Sequence, residues 1–107
     1  RLILPCPVPN GDPSWFGFML TCKDGIDRNS LVKKIEENNI QTRALFAGNL
    51  IKHPCFDEMR ASGEGFRIVG ELANTNTIMN DSFWIGVYPG MTKAMLDKMI
   101  EVIRDNT

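Results

Sequence analysis

Apolar and polar positions alternate along this chain at two periods, and the changes of period mark its elements. From Trp15 to Cys22 the period is two: Phe16, Phe18, Leu20 and Cys22 fall on one face, Trp15, Gly17, Met19 and Thr21 on the other, which predicts a strand. Lys23-Asp24-Gly25 is turn chemistry, and Asp27 is placed to cap a helix. That helix is predicted to run to about Asn38, with Leu31, Val32 and Ile35 on one side and Lys33, Lys34, Glu36 and Glu37 on the other. Asn38-Asn39 suits its end, because Asn tolerates the left-handed conformation.

A second strand is predicted around Thr42 to Phe46, broken by Ala47-Gly48-Asn49. The periodicity then lapses. Leu50 to Gly65 reads as irregular, with Pro54 and the Ala61 to Gly65 run marking a surface loop. Phe66 to Val69 predicts a short edge strand, and Thr75 to Asn80 a helical turn or two. Phe83 to Tyr88 is a third clear strand, with Phe83, Ile85 and Val87 on one face and Pro89-Gly90 ending it. Thr92 caps a last helix, whose Met95, Leu96, Met99, Ile100 and Ile103 recur at three- and four-residue spacing and read as core-facing.

These elements predict an α+β fold: a small sheet of three or four strands, mostly antiparallel, with helices packed on one face. Residues 1–13 stand apart. Pro5 to Pro13 holds four of the six prolines, so 1–13 is expected to be an extended lead-in and 14–107 the folded unit. The chain opens on Arg1 rather than Met, which reads as a fragment or a processed product.

Composition narrows the function. The 107 residues suit one domain, and a net charge of −1 with no block of like charge gives no ground for nucleic-acid or membrane-surface binding. The longest apolar stretch, Trp15 to Cys22, is too short to span a bilayer. Three widely spaced cysteines, Cys6, Cys22 and Cys55, fit free thiols in a reducing cytosol. His53 is the only histidine, two residues from Cys55, and spacing alone does not make an activated thiol. No Cys-x-x-Cys, dinucleotide or P-loop pattern is present. What remains is Thr42 to Asn49. Arg43 lies in an otherwise apolar strand, and a buried Arg needs a carboxylate or phosphate partner. An internal salt bridge and an anion-binding site both satisfy that need.

The block Arg43 to Asn49 (RALFAGN) is followed by Pro54 and Phe56, Val69-Gly70-Glu71-Leu72, Asn74-Thr75-Asn76, Ile78-Met79-Asn80 and Phe83 to Gly90 (FWIGVYPG), and preceded by Asn10 to Phe18 (NGDPSWFGF). In that order the blocks resemble the C-terminal end of the CDP-4-dehydro-6-deoxyglucose 3-dehydratases. These form the dehydratase branch of the DegT/DnrJ/EryC1/StrS sugar-nucleotide aminotransferase-like family. The absence of a Pro-x-His motif near Gly48-Asn49 favours that branch over the aminotransferases. Cys55 in place of an aromatic residue, and a longer Asp57 to Gly65 loop, depart from the family pattern.

The resemblance implies the small C-terminal domain of a fold type I pyridoxal-phosphate enzyme, acting in the cytoplasm on a nucleotide sugar in deoxysugar and lipopolysaccharide biosynthesis. It implies pyridoxamine phosphate as electron sink for loss of the C3 hydroxyl. It also implies an iron–sulfur cluster and a His in the Schiff-base position, both in a large domain outside this chain, with a homodimeric parent and a reductase partner. Carried over to this sequence, the substrate- or cofactor-binding residues are Arg43, Phe46 and Asn49. Arg43 would pair with a phosphate, Phe46 line the site, and Asn49 bond the sugar. No catalytic residue and no metal ligand is expected within the chain, so the isolated piece should be inactive. An aminotransferase of the same family and a free-standing binding module are the alternatives.

Overall fold

The strand Ser82–Gly86, which precedes the last helix, lies inside the sheet. The computed structural model describes residues 1–23 and 25–107. It contains β1 (Leu2–Ile3), β2 (Gly17–Cys22), α1 (Arg28–Glu37), β3 (Thr42–Ala44), α2 (Asp57–Ser62), α3 (Ala73–Asp81), β4 (Ser82–Gly86) and α4 (Lys93–Asp105). Short 3-10 turns cover Leu50–Lys52 and Pro54–Phe56. The strand order is β1-β2-β4-β3, and every pairing is antiparallel. The α+β class and the antiparallel sheet are those the periodicity predicts.

The register sorts the side chains into two sets. Phe18 lies opposite Ile85 and Leu20 opposite Phe83, while Thr42 and Ala44 face Ile85 and Phe83 from the other side. Against this set pack Leu31 and Ile35 of α1 and Val102 of α4, with Met99 and Ile103 partly buried at the margin. Phe83 and Ile35 are both 0% exposed, so this is where burial drives folding. The complementary set, Met19, Thr21, Ser82, Trp84 and Arg43, looks the other way. There α3 lies against β2 and β4, with Thr77 and Asp81 beside Ile3 and Thr21. Thr21 and Ser82 are buried and share a hydroxyl–hydroxyl bond of 2.8 Å.

The helix ends follow the expected chemistry. The Asp27 carboxylate accepts from Ser30 N at 2.7 Å, Thr92 Oγ1 accepts from Met95 N at 3.3 Å, and Asn39 takes a φ of 61° just beyond α1. Arg28 crosses from α1 to the end of α3, donating to Asn80 O at 3.0 Å and Met79 O at 3.1 Å, where a cation suits the helix dipole. The predicted turn at Lys23 to Gly25 includes Asp24, which lies outside the described residues.

Several expectations need correction. Residues 1–13 do not stand wholly outside the fold, because Leu2–Ile3 pairs with Thr21–Cys22 as an edge strand; two residues are too few to display a period. The Leu50 to Gly65 stretch is more ordered than predicted, holding both 3-10 turns and α2, which ends at Gly63 with a φ of 72°. Phe66 to Val69 forms no strand, with Ile68 and Val69 exposed and unpaired with the sheet. Along α4, Met95, Leu96 and Ile100 are not core. All three are exposed, and Leu96 and Ile100 line an apolar groove of ≈ 500 Å³ between the helix and Phe18, Ile85 and Val87.

Candidate functional site

The Thr42 to Asn49 block sits at the β3 edge and turns toward α3. Thr42 is buried and donates to Glu36 Oε1 at 2.6 Å, tying the start of β3 to the end of α1. At the other end Asn49, 3% exposed, donates from Nδ2 to Asn76 Oδ1 at 2.9 Å. Between these anchors Gly48 has a φ of 60° and lies so close to Met79 that a Cβ would come within 2.7 Å of it. Only glycine suits that position. His53 adds a bond to Ala47 O, and the Arg60 guanidinium gathers the carbonyls of Ile51 and His53 with the Asp57 carboxylate. The block is therefore braced from three directions, and what it displays is Phe46.

Phe46 is 77% exposed and held at a φ of 47°. The left-handed conformation is unfavourable by roughly 1–2 kcal/mol for a residue with a Cβ, and such outliers gather at functional sites. Its ring lies 5.7 Å from that of Trp84, and Phe16 approaches the same indole at 4.9 Å. The indole rests on Gly17, where a Cβ would come within 1.7 Å of the ring. Trp84 Nε1 is buried and has no acceptor among the described residues, a loss of about 1–3 kcal/mol.

Arg43 pairs in register with Trp84, on the same face. The expectation of a buried Arg is wrong: Arg43 is exposed, and its guanidinium donates only to Thr42 O at 3.3 Å. No ion pair involves it among the described residues. An edge strand with one open face leaves the long side chain in water, where it lines a shallow hollow with Glu36, Asn39, Ile40 and Gln41. Among the described residues, then, no internal salt bridge accounts for Arg43. Asn49 is buried, and its amide nitrogen is engaged with Asn76 beneath the surface. It fixes the turn that presents Phe46.

The model of the DegT/DnrJ/EryC1/StrS aminotransferase family matches residues 2–104. The chain belongs to that family. Among DegT/DnrJ/EryC1/StrS relatives, the lipopolysaccharide biosynthesis protein RfbH of Salmonella typhimurium is 50% identical over 101 residues, 92% of this chain and 22% of that protein. The dTDP-4-dehydro-2,6-dideoxy-D-glucose 3-dehydratase of Saccharopolyspora spinosa is 42% identical over 106 residues, 97% of this chain and again 22% of the relative. The chain thus spans about a fifth of the length of these relatives. Among solved structures, GDP-4-keto-6-deoxymannose-3-dehydratase with bound GDP-perosamine superposes with a TM-score of 0.77 at 22% identity, over 95% of this chain and 25% of that one. The E. coli GDP-4-keto-6-deoxy-D-mannose-3-dehydratase with bound hydrated PLP gives 0.73 at 22% identity, over 94% and 25%. These likenesses establish the fold.

The residues present do not by themselves make a pyridoxal-phosphate site. Lys23, Lys33, Lys34, Lys52, Lys93 and Lys98 are all exposed, so none is a buried amine set beside a cofactor pocket. Arg43 offers one anion contact and no cradle. Burial, with Asp81 second, pushes the Cys22 thiol up and keeps it protonated, while Cys6 and Cys55 are exposed and form no disulfide. Among the described residues no three His, Cys, Asp or Glu side chains group as metal ligands. No helix among them is long and apolar enough to cross a membrane. The sequence singled out Arg43, Phe46 and Asn49, and the fold brings them to one corner. It missed Phe16, Gly17, Asn76 and Trp84, although the likeness of WFGF to FWIG marked two aromatic strands that the register places side by side.

Proposed function

We propose that this chain is the small C-terminal domain of a pyridoxal/pyridoxamine-phosphate-dependent sugar-nucleotide 3-dehydratase. The parent removes the C3 hydroxyl of a CDP-4-keto-6-deoxyhexose in deoxysugar and lipopolysaccharide biosynthesis. One observation carries the assignment of the site: within a family match over residues 2–104, the Arg43 to Asn49 block is braced from below and presents a guanidinium with no ion pair among the described residues beside a strained, exposed Phe46. RfbH and the S. spinosa 3-dehydratase support the choice of branch.

In this reading the cofactor supplies the electron sink for loss of the hydroxyl. Cofactor, iron–sulfur cluster, reductase docking and dimer contacts belong to the remainder of a cytoplasmic parent. The part of this chain is to bind and to exclude water. Arg43 holds an anionic phosphate through its planar fork, Phe46 closes an apolar wall over the site, and Asn49 with Asn76 keeps that wall in place.

The test is Arg43→Ala in the full-length parent. Loss of a charge-assisted contact of about 1.5–3 kcal/mol lowers kcat/KM roughly ten- to a hundredfold. The denaturant midpoint should stay within about 0.5 kcal/mol of wild type, because the side chain is exposed. Normal kcat/KM would remove Arg43 from the site. Product mass separates the chemistries: a dehydratase product has lost one water, whereas a transaminase product has gained an amine.

A further inference from the structure

His53 is the single histidine of the chain, and its main chain is fixed on both sides of the ring. Pro54 follows it and restricts it to an extended backbone, and His53 has a φ of −70° and a ψ of 143°. Its N–H donates to Leu50 O at 3.0 Å, and its carbonyl accepts from Phe56 N and from Arg60 Nη1, each at 3.0 Å. The half-buried ring is thereby set against the preceding turn, where Nε2 lies 2.5 Å from Ala47 O. A carbonyl only accepts, so Nε2 carries the proton. The main chain does not secure that carbonyl. Phe46 N donates to Ala44 O at 2.8 Å and Gly48 N to Leu45 O at 3.3 Å, but no backbone N–H among the described residues reaches Ala47 O. Ala47 also stands between two left-handed residues, Phe46 at a φ of 47° and Gly48 at 60°. Glycine takes either sign of φ with little penalty, so the Ala47–Gly48 peptide is a plane that is free to turn over. Turned over, it loses the Gly48 N–H bond to Leu45 O that closes the turn carrying Phe46.

We infer that His53 is a positioning residue for the Arg43 to Asn49 block, its Nε2–H holding the Ala47–Gly48 peptide in the orientation that closes the turn; this rests on the reading of that block as a binding site. Asn49 secures the end of the same turn through Asn76. Arg60 backs the arrangement, because its Nη1 takes the carbonyls of Ile51 and His53 together while its Nη2 pairs with the Asp57 carboxylate. No proton has to leave the imidazole. The role is geometric and uses an N–H that a side-chain amide also carries.

Steady-state kinetics of the full-length parent on the CDP-4-keto-6-deoxyhexose test this with His53→Ala and His53→Gln. The Gln amide nitrogen stands as many bonds from the main chain as the imidazole Nε2. Loss of one hydrogen bond behind a binding element should raise KM roughly two- to tenfold in His53→Ala, with kcat within about twofold of wild type. His53→Gln should bring KM back to the wild-type value, because its amide donates to the same carbonyl. A lower denaturant midpoint in His53→Ala with a wild-type KM overturns the proposal, since the bond would then serve folding alone. So does a KM that Gln leaves raised, or a kcat that falls in both variants, which would make the ring a proton carrier. Arg43→Ala, measured alongside, separates this role from the site itself. If kcat/KM falls there while His53→Ala matches wild type, only the positioning role is lost; wild-type values in both remove the site as well.

Discussion

The two faces of the sheet are made by the same strands, one residue apart, and they do different work. On one, Leu20, Phe83 and Ile85 meet Leu31, Ile35 and Val102, and the buried side chains form one continuous apolar cluster. On the other lie a hydroxyl pair, a strained Phe, and an indole and an Arg that find no acceptor and no ion pair among the described residues. Because the side-chain period of a strand is two, alternate positions can be given over to stability and to binding without conflict. Arg43, the proposed phosphate contact, falls on the face that contributes less to folding.

That contrast can be broken first at its strong side. Phe83→Ala should cost about 3–5 kcal/mol, because the ring is 0% exposed at the centre of the cluster. A shift in denaturant midpoint worth less than about 1 kcal/mol would mean that the cluster is not the main source of stability. On the weak side the sign should reverse. Phe46→Gly relieves the positive φ and gives up little burial, so the midpoint should rise, or hold, by up to about 1 kcal/mol, while kcat/KM of the parent falls. Destabilisation beyond that amount would show Phe46 to be a packing residue.

The smallest effect lies away from both faces, at the α1 cap. Hydrogen bonds from the Ser30 side chain and backbone hold the Asp27 carboxyl below the usual carboxylate range. A depressed carboxylate stabilises the fold above its unfolded value of about 3.9, and that support is lost as pH falls through the lower folded value. Asp27→Asn keeps a cap and removes the titration, so its midpoint should change less between pH 5 and pH 2 than that of wild type. Equal slopes in the two proteins would show that Asp27 has no part in acid sensitivity.

Elements with a long, clean period were legible. The strand Gly17–Cys22 and the helices Arg28–Glu37 and Lys93–Asp105 follow their patterns, each helix with the expected cap. The shorter pieces were not legible, because β1 has two residues and the 3-10 turns have three each. The error at Arg43 came from treating an apolar neighbourhood in sequence as burial in space. Its neighbours Thr42 and Ala44 point to the covered face while Arg43 itself points to the open one. Phe16 misled in the opposite way: its alternation is sound, but β2 begins at Gly17, and the ring crosses to Trp84. The seating of Trp84 on Gly17 and the Asn49–Asn76 bond depend on pairings across more than twenty residues, which local spacing does not reveal.

The placement of β4 also sets the order in which the molecule can be made. Both β2 and β3 pair with a strand that leaves the ribosome after them. Until Ser82–Gly86 has emerged, Leu20 and the Leu31–Ile35 side of α1 lack the Phe83 ring they close upon. Domains dominated by such distant pairings fold late and slowly, and nascent chains with uncovered apolar faces are the ones that chaperones bind. Truncation of this polypeptide before Phe83 would leave three helices, the short β1–β2 pair and an unjoined β3, not a smaller version of the domain.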